Sequence, residues 1–289
     1  MFSRQKYKQI AYVNERSRRF VGKDNTMNYS QDTFLGKVVV ISLVCVAFAV
    51  AGSAVAQRYP EMKKAEIIID PFEKQNISGN LQIALAWGEL LRPPNNLTRG
   101  IINLKVAMNR YTKINTELNR HLMLGSTQLL KMPFVFVSSR DNFNLSETEK
   151  TNVRKYFDLG GFMVLDNPEP VTESSKGGAS LKKMIRDCIP NARFQPIPKS
   201  HELYKSFFEF TDGPPNGAEI GVINRGARSV MSKQRLYLEG VWYKGRLVAI
   251  YSDKGYILKW NDNSNNEPQL KIGVNMIVYA LTQDGGMIR

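Results

Sequence analysis

Nineteen consecutive residues, Val38–Ala56 (VVVISLVCVAFAVAGSAVA), carry no charge. A helix that crosses a bilayer needs roughly twenty apolar residues, so the run is long enough to span one. It follows a tail holding Arg4, Lys6, Lys8, Arg16, Arg18, Arg19, Lys23 and Lys37 against Glu15, Asp24 and Asp32. Lys and Arg beside a span stay on the cytoplasmic side. The sequence therefore divides into a basic cytoplasmic tail (1–37), a transmembrane helix or uncleaved signal anchor (38–57) and an extracytoplasmic domain (58–289). Ala54-Val55-Ala56 has the small-x-small form of a signal-peptidase site, and cleavage near Ala56 would instead release the domain. The long tail and long apolar run favour the anchor, because secretory h-regions are usually about 7–15 residues.

The chain is +14 overall, and the tail accounts for +5 of that, leaving a basic domain. Such a surface suits an anionic ligand or lipid head groups. No dense Lys/Arg block interleaved with aromatics occurs, which argues against nucleic acid as a partner. Cys45 lies in the apolar run and Cys188 in the domain, so they cannot pair if the run spans, and no cysteine metal site can form. His121 and His201 are the only histidines. Without G-x-G-x-x-G or a Walker A pattern no nucleotide cofactor is expected, and the sparse ligand set implies no metal.

Along the domain, Ala65–Asp70 (AEIIID) reads as a buried strand. Asn80–Arg92 reads as a helix, with Leu81, Ala84, Leu85, Gly88 and Leu91 on one face and Pro93-Pro94 as its stop. Ile101–Val106 is helix or strand, Leu122–Leu130 is ambiguous, and Arg120-His121 looks like part of a solvated helix. Pro133–Ser138 (PFVFVS) reads as a central strand. Ser146 and Glu149 have the spacing of a capping box, opening a helix that runs to Leu159 with Val153, Tyr156 and Phe157 inward. Gly160-Gly161 leads into Phe162–Asp166 (FMVLD), a second buried strand parallel to the first. A helix over Ala179–Cys188 and a hairpin, Arg235–Tyr243 and Arg246–Ser252 turning at Lys244-Gly245, follow. An amphipathic helix over Leu270–Leu281 closes the chain. This alternation implies an α/β fold with a mostly parallel layered sheet and a hairpin addition, preceded by the transmembrane helix.

PFVFVSS, LSETE, VRKYFDLGGFMVLDN, FQPIPKSHELYKSFFEF, LEGVWYKGRLVAIYSDKG and LKIGVNMIVYAL, in that order, resemble the domain of unknown function 4159 family. The resemblance covers about Ala65 to Leu281. It implies a flavodoxin-like, glutamine-amidotransferase-like fold without established activity, in bacterial proteins that are exported or membrane-tethered. The genes of such proteins often accompany AAA ATPases and von Willebrand A domain proteins, which implies a place in an envelope complex at the cytoplasmic membrane. Ser139-Arg140 stands where the family pattern has Gly-His, and Asp166-Asn167 where it has Asp-Asp, so part of any metal or acid–base set is missing.

Parallel sheets bind ligands beyond the carboxyl ends of their strands. Here those ends offer Arg140 and Asp141 after one strand and Asp166 and Asn167 after the next; if adjacent, they form a polar crevice. The family pattern places a histidine at His201. Amidotransferase chemistry needs a Cys or Ser nucleophile on a strand–helix elbow, and no G-x-S-x-G or G-x-C-x-G occurs. Cys188, late in its helix, reads as a small packed residue. The expectation is a non-enzymatic interaction or scaffold domain working with envelope proteins. The alternative is a hydrolase or small-ligand-binding domain in which Asp166 and His201 meet in the crevice. Its plain competitors are turn-closing and capping roles for Asp166, Asn167 and His201.

Overall fold

The structure, a computed structural model, describes residues 65–288 apart from 71, 74, 170–174, 219–221, 226–227, 232–235 and 263–264. They belong to a compact unit, Met62–Arg289. The run Val38–Ala56 lies outside the described residues, and among those described no helix is long and apolar enough to cross a membrane.

The elements in chain order are β1 (Glu66–Ile69), β2 (Ile77–Trp87), α1 (Thr98–Tyr111), β3 (Lys113–Met123), β4 (Phe134–Val137), α2 (Glu147–Asp158), β5 (Phe162–Asp166) and α3 (Lys176–Cys188). Then come β6 (Gln195–Pro196), β7 (Val222–Arg225), β8 (Arg228–Met231), β9 (Glu239–Tyr243), β10 (Arg246–Ser252), α4 (Tyr256–Trp260) and α5 (Glu267–Thr282). The parallel strands run β3-β2-β4-β5-β10 across the sheet. Strands β1, β9 and β6 add antiparallel neighbours, and β7 and β8 form a separate ribbon.

Each central strand sends alternate side chains into two cores. Ile83, Leu85, Phe134, Phe136, Phe162 and Val164 join α1, α4 and α5 on one face. Ala84, Ala86, Val135, Val137, Met163 and Leu165 join α2 and α3 on the other. Both faces are dry, so the strands read as continuous apolar runs, the pattern of buried parallel sheets.

That two-sided burial explains the largest departure from the sequence reading. Residues 77–87 form the long strand β2, not a helix. With Ala at 84 and 86 instead of polar residues, its period of two is hidden, and the apolar positions fit a helical face equally well. Strand β3, which the sequence did not announce, is polar because it lies at the sheet edge. His121 sits on this strand, exposed, and stacks on Trp87 with ring centroids 4.2 Å apart. Strand β1 is also marginal rather than buried, with Ile68 66% exposed. The segment Ile101–Val106 lies within the fourteen-residue helix α1. Helix α5 is not amphipathic: Ile272 to Val278 are all buried, because the sheet covers one side and α1 with the 203–210 segment covers the other. Asn275 pins that segment, accepting from Phe208 N at 2.8 Å and donating to Phe208 O at 2.7 Å and Leu203 O at 3.0 Å.

Strands β4 and β5, the capping box of α2 and the β9–β10 hairpin match the sequence reading. The hairpin turn has positive φ at both Lys244 (53°) and Gly245 (78°), the two-residue geometry that matches strand twist.

Candidate functional site

The carboxyl ends of β4, β5 and β10 lie side by side, since β4 and β10 both pair with β5. Arg140, Asp141, Asp166 and Asn167 therefore gather at one edge. Arg140 and Asp141 are exposed, whereas Asp166 and Asn167 are buried.

The hydrogen bonds at this edge run inward. Asp166 accepts from the backbone N–H groups of Tyr256 (3.1 Å) and Ile257 (2.9 Å), holding the start of α4. Its own carbonyl accepts from Ser138 Oγ at 2.7 Å, which ties the two strand ends. Asn167 Oδ1 accepts from Ser175 Oγ (2.9 Å) and Glu169 N (3.1 Å), linking the end of β5 to the N-cap of α3. Ser139 Oγ bonds both the N–H and the carbonyl of Asp141. The N-terminus of α3 presses on this loop so closely that a Cβ on Gly177 would lie 1.8 Å from Ser139 O, so only glycine fits there.

At the neighbouring strand ends, of β2 and β4, α2 begins. Its capping-box carboxylate, Glu149, is buried and accepts from Ser146 N at 2.9 Å and, across the crevice, from Glu89 N at 2.8 Å. A helix N-terminus attracts anions. Here the anion is part of the chain.

Lys254, two residues beyond β10, is fully buried beside this network. The sequence reading passed over it. The strand-end rule applied to β4 and β5 would have found it had it been applied to the third parallel strand, in YSDKG.

His201 lies elsewhere. It caps the short 3₁₀ turn Glu202–Lys205, its Nδ1 accepting from Leu203 N at 3.1 Å. Its ring is 5.3 Å from that of Tyr279, which in turn is 6.0 Å from Phe162, the first residue of β5. Its other aromatic neighbour, Trp242, pairs with Leu247 at the start of β10, whereas Asp166 pairs with Ser252 at the end. At about 3.3 Å per residue, Phe162 and Asp166 are roughly 13 Å apart. The imidazole and the carboxylate thus occupy opposite ends of the sheet and do not meet. Burial lowers the pKa of His201 from its ordinary value, an effect Glu202 only partly offsets, so the ring is neutral near pH 7.

Cys188, the last residue of α3, is fully buried, and desolvation pushes its thiol up to about 12. A thiol held so far from ionisation is packing material, not a nucleophile. Among the described residues no group of three or more His, Cys, Asp and Glu is placed to hold a metal ion.

Beside His201 opens a cavity of about 460 Å³, whose wall includes Ile69, Tyr279 and Gln283. Sequence reasoning found the histidine but not the cavity, because its wall comes from β1, the 3₁₀ turn and the end of α5.

The central sheet between two helical layers, with its strand-end network, defines a mixed α/β domain. A family described as a domain of unknown function, DUF4159, matches residues 93–281, well over half of the chain, and the chain belongs to that family. The matched segment starts after β1 and β2, later than the resemblance from Ala65 implied. It contains Arg140, Asp141, Asp166, Asn167 and His201. No match is found among curated proteins.

Proposed function

We propose that this chain is a non-enzymatic interaction module, tethered to the bacterial cytoplasmic membrane through residues 38–57, with its domain outside the cytoplasm as a subunit of an envelope complex. The parallel-strand order supports reading the fold as flavodoxin-like, since renumbering those strands in chain order gives 2-1-3-4-5. In such sheets the ligand crevice opens where strand order reverses, which here is between β2 and β4. The observation that carries the reading is that the polar side chains at this edge are already engaged within the chain. Glu149 occupies the anion position at the start of α2 and bridges to Glu89 N, while Asp166 and Asn167 hold the start of α4 and the approach to α3. Side chains so engaged are poorly placed to bind substrate. The buried Cys188 and the separation of Asp166 from His201 speak against amidotransferase-like hydrolysis.

The test is to purify the tagged full-length protein from native membranes in mild detergent and to identify co-purifying proteins by mass spectrometry. The reading predicts a stoichiometric set of envelope proteins, retained when Arg140 or Asp141 is changed to Ala. A chain recovered alone, or turnover of a small substrate by the pure protein, would overturn it.

A further inference from the structure

Strand β3 forms one edge of the sheet, pairing with β2 alone among the described strands. It runs eleven residues, Lys113–Met123, which at about 3.3 Å per residue is roughly 36 Å. An edge of that length is a ready template for another strand, because its outward N–H and C=O groups seek partners. On β3, N–H groups turned away from β2 are taken by side chains. Ile114 N–H donates to Thr112 Oγ1 at 3.1 Å, Thr116 N–H to Asn109 Oδ1 at 2.9 Å and His121 N–H to Asn119 Oδ1 at 3.0 Å. The carbonyl of Arg120 accepts from Trp87 Nε1 at 2.9 Å. The register with β2 also slips, from Ala84–Asn119 to Ala86–Leu122, so β3 carries one extra residue there. Such a bulge twists an edge away from a straight neighbour.

The bond from Thr116 differs from the other two. Thr112 and Asn119 each serve the N–H two residues ahead, a local contact. Asn109 stands in the last turn of α1 and reaches across to β3. It is exposed, and asparagine is a poor helix former, so neither packing nor propensity calls for it there. What its side chain holds is the amide of Thr116, a fully buried residue. We propose that Asn109 is a latch that keeps the β3 edge closed to a second copy of this chain, and that releasing it turns β3 into an edge-to-edge dimer interface. Edge pairing of two copies about a twofold axis uses the same strand on both sides, with main-chain bonds supplying the attraction. Exposed Lys113 and Arg120 flank exposed Glu117 along the strand, so an antiparallel copy can set basic against acidic residues. The latch acts within the pure chain and does not depend on the interaction-module reading.

The experiment measures self-association of the purified full-length protein in mild detergent by sedimentation velocity over a concentration series. Asn109→Ala keeps helix propensity and frees the Thr116 N–H, so its dimer dissociation constant should fall roughly tenfold or more below that of the parent. Asn109→Asp keeps an acceptor on the same reach and should associate as the parent does. Asn115→Lys, at an exposed position on β3, puts a cation on the released edge, and added to Asn109→Ala it should return association to the parent level. Association of Asn109→Ala no stronger than that of the parent would overturn the proposal. So would equal association by Asn109→Ala with and without Asn115→Lys, because the contact would then lie elsewhere. A second measurement needs no variant. Hydrogen exchange resolved to single residues on the parent should find the Thr116 amide protected by about a hundredfold or more over an unstructured chain, and exchange at the unstructured rate would contradict the latch.

Discussion

Particular buried polar side chains at the two ends of the sheet differ in whether they are bonded. At the carboxyl edge Asp166, Asn167 and Glu149 are each inside and each bonded to backbone that must be held. At the opposite end the side chain of Gln283 is inside, and neither its Nε2 nor its Oε1 has a hydrogen-bond partner. A satisfied buried network stabilises and specifies a fold, whereas an unsatisfied buried group costs free energy. The polar residues most conspicuous in sequence are therefore the structural ones.

Substitutions can break this contrast. The largest effect is expected at Asp166: Asp166→Ala strands the N–H groups of Tyr256 and Ile257 and should cost roughly 2–5 kcal/mol, read from the urea midpoint at unchanged slope. Glu149→Ala removes the reciprocal half of the capping box and frees Glu89 N, for a loss of about 1–3 kcal/mol in the same assay. At the other end Gln283→Leu should gain up to about 1 kcal/mol, because no hydrogen bond is lost and a desolvated amide is removed.

A smaller, pH-dependent effect sharpens the same comparison. The folded-state pKa of His201 is depressed below its ordinary 6.5, mainly by burial. Between the folded and unfolded values the unfolded chain binds more protons, so this contribution to stability is present above 6.5 and is lost as pH falls through that window. Melting temperature should drop more steeply with acidification below 6.5 in the parent than in His201→Asn. The smallest effect belongs to Arg140→Ala, an exposed position expected to stay within about 0.5 kcal/mol of the parent.

Legibility in the sequence followed the same physics. The unit from β4 to β5 could be read almost residue by residue, because its helix start is local chemistry, Ser146 with Glu149, its first strand is wholly β-branched or aromatic, and its second is a short apolar run after Gly160-Gly161. Strand β2 could not, because burial on both faces erases the alternation that marks a strand. Strand β3 was hidden for the converse reason, being a polar edge. At the candidate site, the meeting of Asp141 and Arg140 with Asp166 and Asn167 followed from parallel neighbours. The separation of His201 did not, since the ring's place depends on Tyr279 and Trp242, far along the chain. Gln283 was illegible: an orphaned amide is a property of what fails to surround it.

The most direct test is one denaturation experiment on Asp166→Ala and Gln283→Leu side by side with the parent chain in detergent. The account predicts opposite signs, a large loss for Asp166→Ala and no loss or a small gain for Gln283→Leu. If Asp166→Ala were as stable as the parent or more so, the carboxyl edge would be strained for binding, and its assignment as a structural network would be contradicted.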